Sequence, residues 1–324
     1  MARRRTGALG VVGGLLVALV CGGGATGEAA GPLGVRPLWT DPDSAALRQL
    51  AAYEAEGRIA LADALRPLAQ SPTATWFTGN PPRRAAQQLT TAAAAAGKLP
   101  VLVAYDIPDR DCGSQSAGGA VDGAAYLAWI RELAVGIGNR PAVVVLEPDA
   151  VALSITDCPD GDPQQRYDLL RQAVEVLTAS PQTHLYLDAG HSGWVQDLGA
   201  LAAALSASGI DRAAGFSLNV SNVQTDEASL AYGRRLSGLL GGAHFVVDTS
   251  RNGSGPAPDA GDGLSWCNPT GVRVGRTPST LTGERLVDAW LWVKRPGESD
   301  GACRPGEPAA GEWWPEYALS LAGV

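Results

Sequence analysis

The sequence predicts a parallel α/β barrel, similar to a TIM barrel, in a single domain. Seven short runs rich in valine, isoleucine, leucine and aromatic residues recur along the 324-residue chain, and alanine- and leucine-rich stretches with helical spacing separate them. Strands that are apolar throughout and alternate with helices are typical of a parallel sheet buried on both faces. No low-complexity linker or repeat divides the chain, which favours one domain.

The predicted strands lie in the runs 73–79, 99–108, 142–150, 184–191, 215–222, 244–253 and 288–301. Helices are predicted over 85–96, 124–135, 166–177 and 228–240, where apolar residues recur with helical spacing. Because seven such units follow one another, we expect a closed barrel of seven strands and not an open sheet. Asp43, Asp197 and Glu227 lie near predicted helix starts, where negative charge is favourable.

The first 30 residues have the order of a secretory signal. Arg3 to Arg5 precede an apolar stretch of about fourteen residues, and small residues follow it. The apolar stretch is too short to span a bilayer comfortably. We therefore expect cleavage between Ala25 and Ala30, a secreted extracellular protein with no membrane attachment, and a catalytic domain over 31–324.

Four cysteines remain after removal of this signal: Cys112, Cys158, Cys267 and Cys303. An even count in an exported protein indicates disulfides, for which three connectivities are possible. Sequential pairing closes the shortest loops and is the one we favour. A metal site is not expected, because there is no C-x-x-C or H-E-x-x-H motif and no histidine stands at ligand spacing from a cysteine.

The charge and the motifs exclude several classes of function. The net charge of −8 and the lack of a basic cluster in the mature chain argue against nucleic acid as a partner. Without a Walker motif or a G-x-G-x-x-G motif, nucleotide chemistry is not expected, nor is any other cofactor. The run "GHSGW" has Trp194 where a serine nucleophile elbow needs glycine. We expect a monomer that acts on a neutral or small substrate.

Polar side chains gather at one end of the predicted strands. In α/β barrels the carboxyl ends of the strands form one face, and catalytic residues lie there. The residues that follow the strands are Tyr105, Asp106, Asp111, Glu147, Asp149, Asp188, His191, Asn219, Ser221, Asp248, Arg251, Lys294, Glu298 and Asp300. An aspartate after a strand also often caps a helix or closes a turn, and Asp106 and Asp248 are candidates for such structural roles.

Several carboxylates without a metal indicate glycoside hydrolysis, in which one carboxyl protonates the leaving oxygen and another acts from the opposite side of the sugar. The nine tryptophans against three phenylalanines support this interpretation. Trp76, Trp194 and Trp266 stand at strand ends or in polar loops, where a flat indole suits a sugar ring. The core or a lid is the better interpretation for Trp290, Trp292, Trp313 and Trp314.

Seven blocks, in order along the mature chain, resemble glycoside hydrolase family 6, the inverting cellulases, and look most similar to its bacterial endoglucanases. They are "YDIPDRDCGSQSAGGA", "VLEPDA", "YLDAGHSGW", "LNVSN", "DTSRNGSGP", "WCNPTG" and "LWVKRPGESDGAC". The resemblance implies a distorted seven-stranded α/β barrel. It also implies two disulfides with the sequential pairing.

The resemblance assigns catalytic roles to five residues. It implies that Asp149 is the general acid and that Asp111 is a second essential carboxylate, which raises the pKa of the acid. It implies Asp300 as the base, with a water relay through Ser221 as the rival assignment. Tyr105 would contact the distorted sugar at the cleavage point.

The resemblance further implies substrate contacts from Trp76, His191, Trp194, Asn222, Trp266, Lys294 and Glu298, with Asp188 near the site. The implied activity is that of a secreted endo-β-1,4-glucanase that inverts anomeric configuration. A short connection from Gly301 to Trp313 favours an open groove and internal cleavage. The alternatives are a cellobiohydrolase, a hydrolase of another β-glucan, or an inactive relative that binds sugar. We expect the loop 113–120 to act as a lid.

Overall fold

Seven parallel strands form one sheet in the computed structural model, which describes residues 1–2, 7, 31–156, 158, 162–256, 261 and 263–324. The strands pair in chain order. They are β1 (Thr75–Phe77), β2 (Val101–Ala104), β3 (Ala142–Leu146), β4 (Thr183–Asp188), β5 (Gly215–Leu218), β6 (His244–Asp248) and β7 (Val287–Leu291). Each predicted apolar run overlaps one of them, which confirms the seven parallel strands.

The strands are largely apolar because both faces of the sheet are covered. In β3, Val144 and Leu146 pack in a cluster with the surrounding helices. Val143 and Val145 alternate with them and belong to a second cluster, which includes Tyr186 and lies inside the curled sheet. All five residues of β3 are buried, so alternation along the strand does not produce a polar face.

The edges of the sheet approach each other without forming a ladder. Ala74, just before β1, donates its N–H to the carbonyl of Trp292, just after β7, at 3.0 Å. The indole N–H of Trp76 donates to the carbonyl of Val293 at 2.8 Å. No β1–β7 strand pairing is present among the described residues. The sheet is therefore curled, and the closed barrel expected from the sequence is not confirmed.

The helices in the described part of the chain are α1 (Ala45–Ala55), α2 (Ile59–Ala69), α3 (Arg83–Ala95), α4 (Gly123–Ile137), α5 (Ala150–Ile155), α6 (Pro163–Leu177), α7 (Leu198–Ala207), α8 (Asp226–Leu239) and α9 (Pro315–Ala322). The four predicted helices correspond to α3, α4, α6 and α8. Asp197 caps α7 by accepting a hydrogen bond from the N–H of Ala200, and Glu227 lies in the first turn of α8. Ser44, the residue after Asp43, caps α1.

Helices α1, α2 and α9 were not predicted, and they form a third apolar cluster. Leu50, Leu65 and Leu321 are buried there against Trp292. Trp290 is also buried, while Trp313 and Trp314 pack partly buried against the third cluster. Trp290 and Trp292 therefore lie in the core, as predicted, whereas Trp313 and Trp314 lie at its edge.

Both predicted disulfides are present, between Cys112 and Cys158 and between Cys267 and Cys303. The sulfur atoms of Cys267 and Cys303 lie near the carboxylate of Glu307, but they are bonded to each other. Within the described residues, no helix has the length and apolarity needed to cross a membrane. Most of the predicted signal, 1–30, lies outside these residues.

Candidate active site

The backbone at the carboxyl ends of the strands is held in an unusual conformation. Eight non-glycine residues of the described chain have a positive φ: Asp109, Asp111, Cys112, Glu147, Asp149, Asn219, Ser221 and Asn268. Such conformations cost free energy and persist where surrounding contacts enforce them, often at functional sites. Glu147 and Asp149 follow β3, while Asn219 and Ser221 follow β5. The strained positions thus coincide with the predicted catalytic face.

Asp149 has the environment of a proton donor. It lies at the start of α5 with φ of 70°. Burial, to which the nearby Asp188 and Asp111 add, raises the pKa of Asp149 well above its ordinary value. Its carboxyl accepts no hydrogen bond from the part of the chain that the structure describes. A carboxyl in this environment keeps its proton near neutral pH, as general acid catalysis requires.

Asp188 fixes the backbone of Asp149. Its buried carboxylate accepts hydrogen bonds from the N–H of Asp149 at 2.9 Å, the N–H of Gly190 at 3.1 Å and the hydroxyl of Ser217 at 3.0 Å. Burial raises the pKa of Asp188 to about 6, although these hydrogen bonds favour the ionised form. The sequence places Asp188 near the site, and its contacts make it a support for Asp149.

Asp111 lies in a single 3₁₀ turn, Asp111–Gly113, which the disulfide of Cys112 ties to Cys158. Its Oδ2 accepts a hydrogen bond from the N–H of Ser116 at 2.6 Å, and burial raises the pKa of its carboxyl. Asp111 is close enough to Asp149 to contribute to the raised pKa of that carboxyl. The role of Asp111 as a second essential carboxylate stays a prediction of the resemblance.

Arg110, which the sequence left without a role, organises the loop that carries Asp111. Its guanidinium donates to the carbonyls of Tyr105 at 2.7 Å, Ser116 at 2.8 Å and Ala117 at 3.3 Å. It also lies 4.7 Å from the centre of the Tyr105 ring. The loop 113–120, predicted as a lid, is thus anchored to the strand end by one side chain.

Tyr105 and Trp76 form an aromatic corner beside these carboxyls. Their rings meet edge to face with centroids 5.3 Å apart. Tyr105 is buried, and its burial together with the charges of Asp149 and Asp111 raises the pKa of its hydroxyl. The hydroxyl is therefore a neutral donor or acceptor in the working pH range.

Asp300 is held between two buried cations. Its carboxylate pairs with Arg251 at 2.5 Å and Lys294 at 2.9 Å, and it accepts a hydrogen bond from the N–H of Asn268 at 2.8 Å. Burial alone would raise the pKa of Asp300, but Arg251 and Lys294 lower it to about 2. Arg251 also donates to the carbonyl of Ser221. The two candidates for the base side of the reaction are thus joined by one arginine.

Asp106 and Asp248, for which structural roles are expected, bind backbone N–H groups. Asp248 accepts hydrogen bonds from the N–H groups of Ser221 and Lys294, at 3.0 and 2.9 Å, and from two further backbone N–H groups. Asp106 accepts from the N–H of Gly79 at 2.8 Å. Both carboxylates hold strand ends and loops in place, and Asp248 links the loops that follow β5 and β7.

The predicted sugar-contacting residues lie on opposite sides of this face. Trp76 lies within β1 and Glu298 follows β7, whereas His191 and Trp194 follow β4. The rings of His191 and Trp194 have centroids 5.8 Å apart. Burial lowers the pKa of His191 to about 4, so its ring is neutral at working pH. Trp266 is 39% exposed, which leaves its indole accessible.

Two other residues that are predicted to contact sugar form hydrogen bonds or ion pairs within the protein. The amide oxygen of Asn222 accepts hydrogen bonds from the N–H of Val223 and the side chain of Gln224. The ammonium of Lys294 is occupied by Asp300 and the carbonyl of Ser299. Lys294 is thus primarily a partner of Asp300 in this structure.

The sequence did not assign roles to three residues that support this site. In the sequence Glu147 and Arg251 are polar residues that follow strands, and Asn268 belongs to the "WCNPTG" block. Glu147 is fully buried and accepts hydrogen bonds from the N–H groups of Asp106 and Ile107, at 3.0 and 3.1 Å. Burial raises the pKa of Glu147 to about 8. It links the end of β3 to the end of β2.

Comparisons with known proteins agree on one family. Residues 34–323 match the family described as "Glycosyl hydrolases family 6". Endoglucanase A of Cellulomonas fimi is 47% identical over 229 residues, which cover 70% of this chain and 48% of that protein. The chain therefore spans about half the length of this relative. Endoglucanase 1 of Streptomyces halstedii is 40% identical over 293 residues, which cover 88% of both chains.

A solved structure shows the same similarity in three dimensions. The endoglucanase Cel6 from Mycobacterium tuberculosis, in complex with methyl-cellobiosyl-4-deoxy-4-thio-β-D-cellobioside, superposes with a TM-score of 0.83 at 46% identity. The match covers 90% of this chain and 98% of that one.

Proposed function

The chain belongs to glycosyl hydrolase family 6, and we propose that it is an endo-β-1,4-glucanase that hydrolyses internal bonds of cellulose with inversion at the anomeric carbon. The observation that carries this proposal is the buried carboxyl of Asp149, whose pKa is raised by burial and by two neighbouring aspartates. The endoglucanase names of the relatives and the cello-oligosaccharide analogue bound to one of them support the substrate class.

In the proposed reaction, Asp149 donates its proton to the glycosidic oxygen as the bond from that oxygen to the anomeric carbon breaks. A water molecule attacks the same carbon from the opposite face of the sugar, so the configuration is inverted. Asp188 holds the backbone of Asp149 at 2.9 Å, which keeps the acid in position. Asp111 and Asp188 keep the acid protonated until the leaving oxygen develops negative charge.

The attacking water must lose a proton, and we assign this step to a water relay beside Ser221. Both oxygens of Asp300 are engaged, and its pKa of about 2 makes it a weak base. Arg251 joins Asp300 to the carbonyl of Ser221. In this proposal the Arg251–Asp300 pair fixes the backbone of Ser221 beside the relay, and the proton passes through the relay waters to bulk solvent.

The aromatic residues supply the sugar-binding surfaces. Trp76 with Tyr105 lies on one side of the carboxyls, and Trp194 with His191 lies on the other, so a glucan chain would run from β1 across to β4. Trp266 adds an exposed indole. The short segment from Gly301 to Trp313, tied down by the disulfide of Cys303, favours an open groove and internal cleavage.

Extracellular action is part of the proposal. The N-terminal sequence has the order of a secretory signal, and two disulfides are typical of an oxidising compartment. We further propose that the mature protein is a monomer that acts without a cofactor.

Carboxymethylcellulose hydrolysis by the wild type and by Asp149→Ala tests the proposal. The wild type is expected to release reducing ends and to lower the viscosity rapidly, as internal cleavage does. Asp149→Ala is expected to lose nearly all of this activity while its circular dichroism spectrum and melting temperature stay native. Near-normal turnover by the folded variant would reject Asp149 as the acid. Binding of cellohexaose by the wild type without any cleavage would instead identify an inactive sugar-binding relative.

A further inference from the structure

A cavity of about 280 Å³ lies beside the predicted sugar-binding surface, on the side of β1 and β7. Its walls come from the start of α1, the end of α2, the segment that precedes β1 and the loop that follows β7. The residues that matter for its chemistry are Arg48, Ser71, Thr73, Arg295, Glu298 and Trp313. None of the catalytic carboxyls lines it, so it is separate from the centre of the reaction.

Glu298 connects this cavity to the proposed cleft, because it is both a predicted sugar contact and part of the cavity wall. Arg295 holds Glu298 in place by pairing with its carboxylate at 2.8 Å and donating to the carbonyl of Ala74 at 3.0 Å. Glu298 also forms a backbone bridge with Trp313. The boundary between cleft and cavity is therefore built of mutually supporting groups.

The lining of the cavity suits a neutral polyol better than an ion. Arg48 and Arg295 face a similar number of carboxylates, from Asp41, Asp43 and Glu298, so neither sign of charge dominates. The hydroxyl of Ser71 donates to the carbonyl of Pro67 at 2.8 Å and can still accept a hydrogen bond, while that of Thr73 can donate or accept. Trp313 contributes an apolar surface of the kind that packs against a sugar ring. The mixture of one aromatic wall with several polar groups is typical of ligand pockets.

We propose that this cavity is an additional subsite that binds one glucosyl residue of the glucan chain, beyond those held over the catalytic carboxyls. The proposal rests on the proposed glucanase activity and extends it. It assigns sugar contacts to Arg48 and Trp313, which no motif in the sequence indicated. It implies that longer oligosaccharides, which reach the cavity, gain a contact that shorter ones lack.

Chain-length dependence tests the subsite. We would compare kcat/KM for cellohexaose and cellotetraose in the wild type, in Arg48→Ala, which removes a donor, and in Thr73→Phe, which fills the cavity. The ratio of the two values is expected to fall about tenfold in both variants, the effect of losing one hydrogen bond to a charged group. Arg84→Ala, which removes an exposed arginine on α3 that does not line the cavity, is the matched control and should keep the wild-type ratio.

A ratio that is unchanged in both folded variants would overturn the subsite while leaving the proposed activity intact. Failure of the wild type to cleave either oligosaccharide would reject the activity instead. Calorimetric titration of cellohexaose into Asp149→Asn, with and without Arg48→Ala, then decides the subsite independently. A weaker affinity with Arg48→Ala supports it, and an equal affinity or no binding rejects it.

Discussion

The ion pairs around Asp300 predict a large and measurable contribution to stability. Although burial opposes ionisation, Arg251 and Lys294 lower the pKa of Asp300 to about 2, below the value of an aspartate in an unfolded chain. A group whose pKa is lower in the folded state stabilises the fold above its unfolded pKa. This contribution, about 2 kcal/mol, is therefore present above about pH 4 and is lost as the pH falls towards 2.

Asp300→Asn removes the charge with little change in shape and leaves two cations without their counter-ion. The Arg251 side chain is fully buried and that of Lys294 is 10% exposed, so water cannot replace the carboxylate. Breaking a buried ion pair costs about 3–5 kcal/mol. Because each kcal/mol lowers the Tm of a chain of 150–250 residues by about 2–4 °C, and that of a longer chain by less, a fall of about 5 °C or more is expected at neutral pH.

Thermal unfolding followed by circular dichroism, together with urea titration, measures this effect. Asp211→Asn, at an exposed aspartate, is the matched control and is expected to change the free energy of unfolding by less than about 0.5 kcal/mol. Adding Lys294→Met to Asp300→Asn removes one of the unpaired cations and should restore part of the loss. An Asp300→Asn protein that melts within about 2 °C of the wild type would refute the ion-pair account.

Three further predictions concern neighbouring groups. Asp188→Asn removes a charge that raises the pKa of Asp149, so the alkaline limb of the kcat profile should move to lower pH; an unmoved limb in a folded variant contradicts this. Burial raises the pKa of Glu147 to about 8, so the contribution of this group to stability should fall as the pH rises from about 4.5 to 8. In urea titrations the free energy of unfolding of Glu147→Gln, relative to that of the wild type, should therefore increase over this pH range. A difference that stays constant with pH would contradict this prediction. Arg110→Lys loses the guanidinium group that donates to three carbonyls, so hydrogen exchange in loop 113–120 should become faster and kcat should fall about tenfold. Exchange at the wild-type rate would show that the guanidinium is not needed to hold the loop.

The strands could be predicted because most of them are buried on both faces, which leaves a nearly continuous apolar run in the sequence. Helix α5 could not, since six residues are too few to show a helical period. Helix α7 is apolar on nearly all sides, so its sequence "LGALAAALSA" has no clear polar face. Whether β1 pairs with β7 depends on the curl of the sheet, and the number of strands does not determine it.

The sequence predicts which site residues follow the strands, but it does not predict which side chains contact one another. The positions of Asp149 and Asp300 follow from the runs that precede them. The contacts that set their pKa values join residues far apart in sequence, as Arg251 and Asp300 are, 49 residues from each other. Such pairs depend on strand register and loop path, which no local pattern encodes. The cavity beside Glu298, built from four separate segments, could not be inferred for the same reason.

The anomeric configuration of the first product tests the central proposal most directly. Proton NMR recorded during the first minutes of cellohexaose hydrolysis distinguishes the α- from the β-anomer before mutarotation mixes them. An inverting glucanase with Asp149 as acid and water as nucleophile should release the α-anomer from the β-linked substrate. Initial release of the β-anomer would contradict the mechanism, because it would require a covalent intermediate and a carboxylate nucleophile.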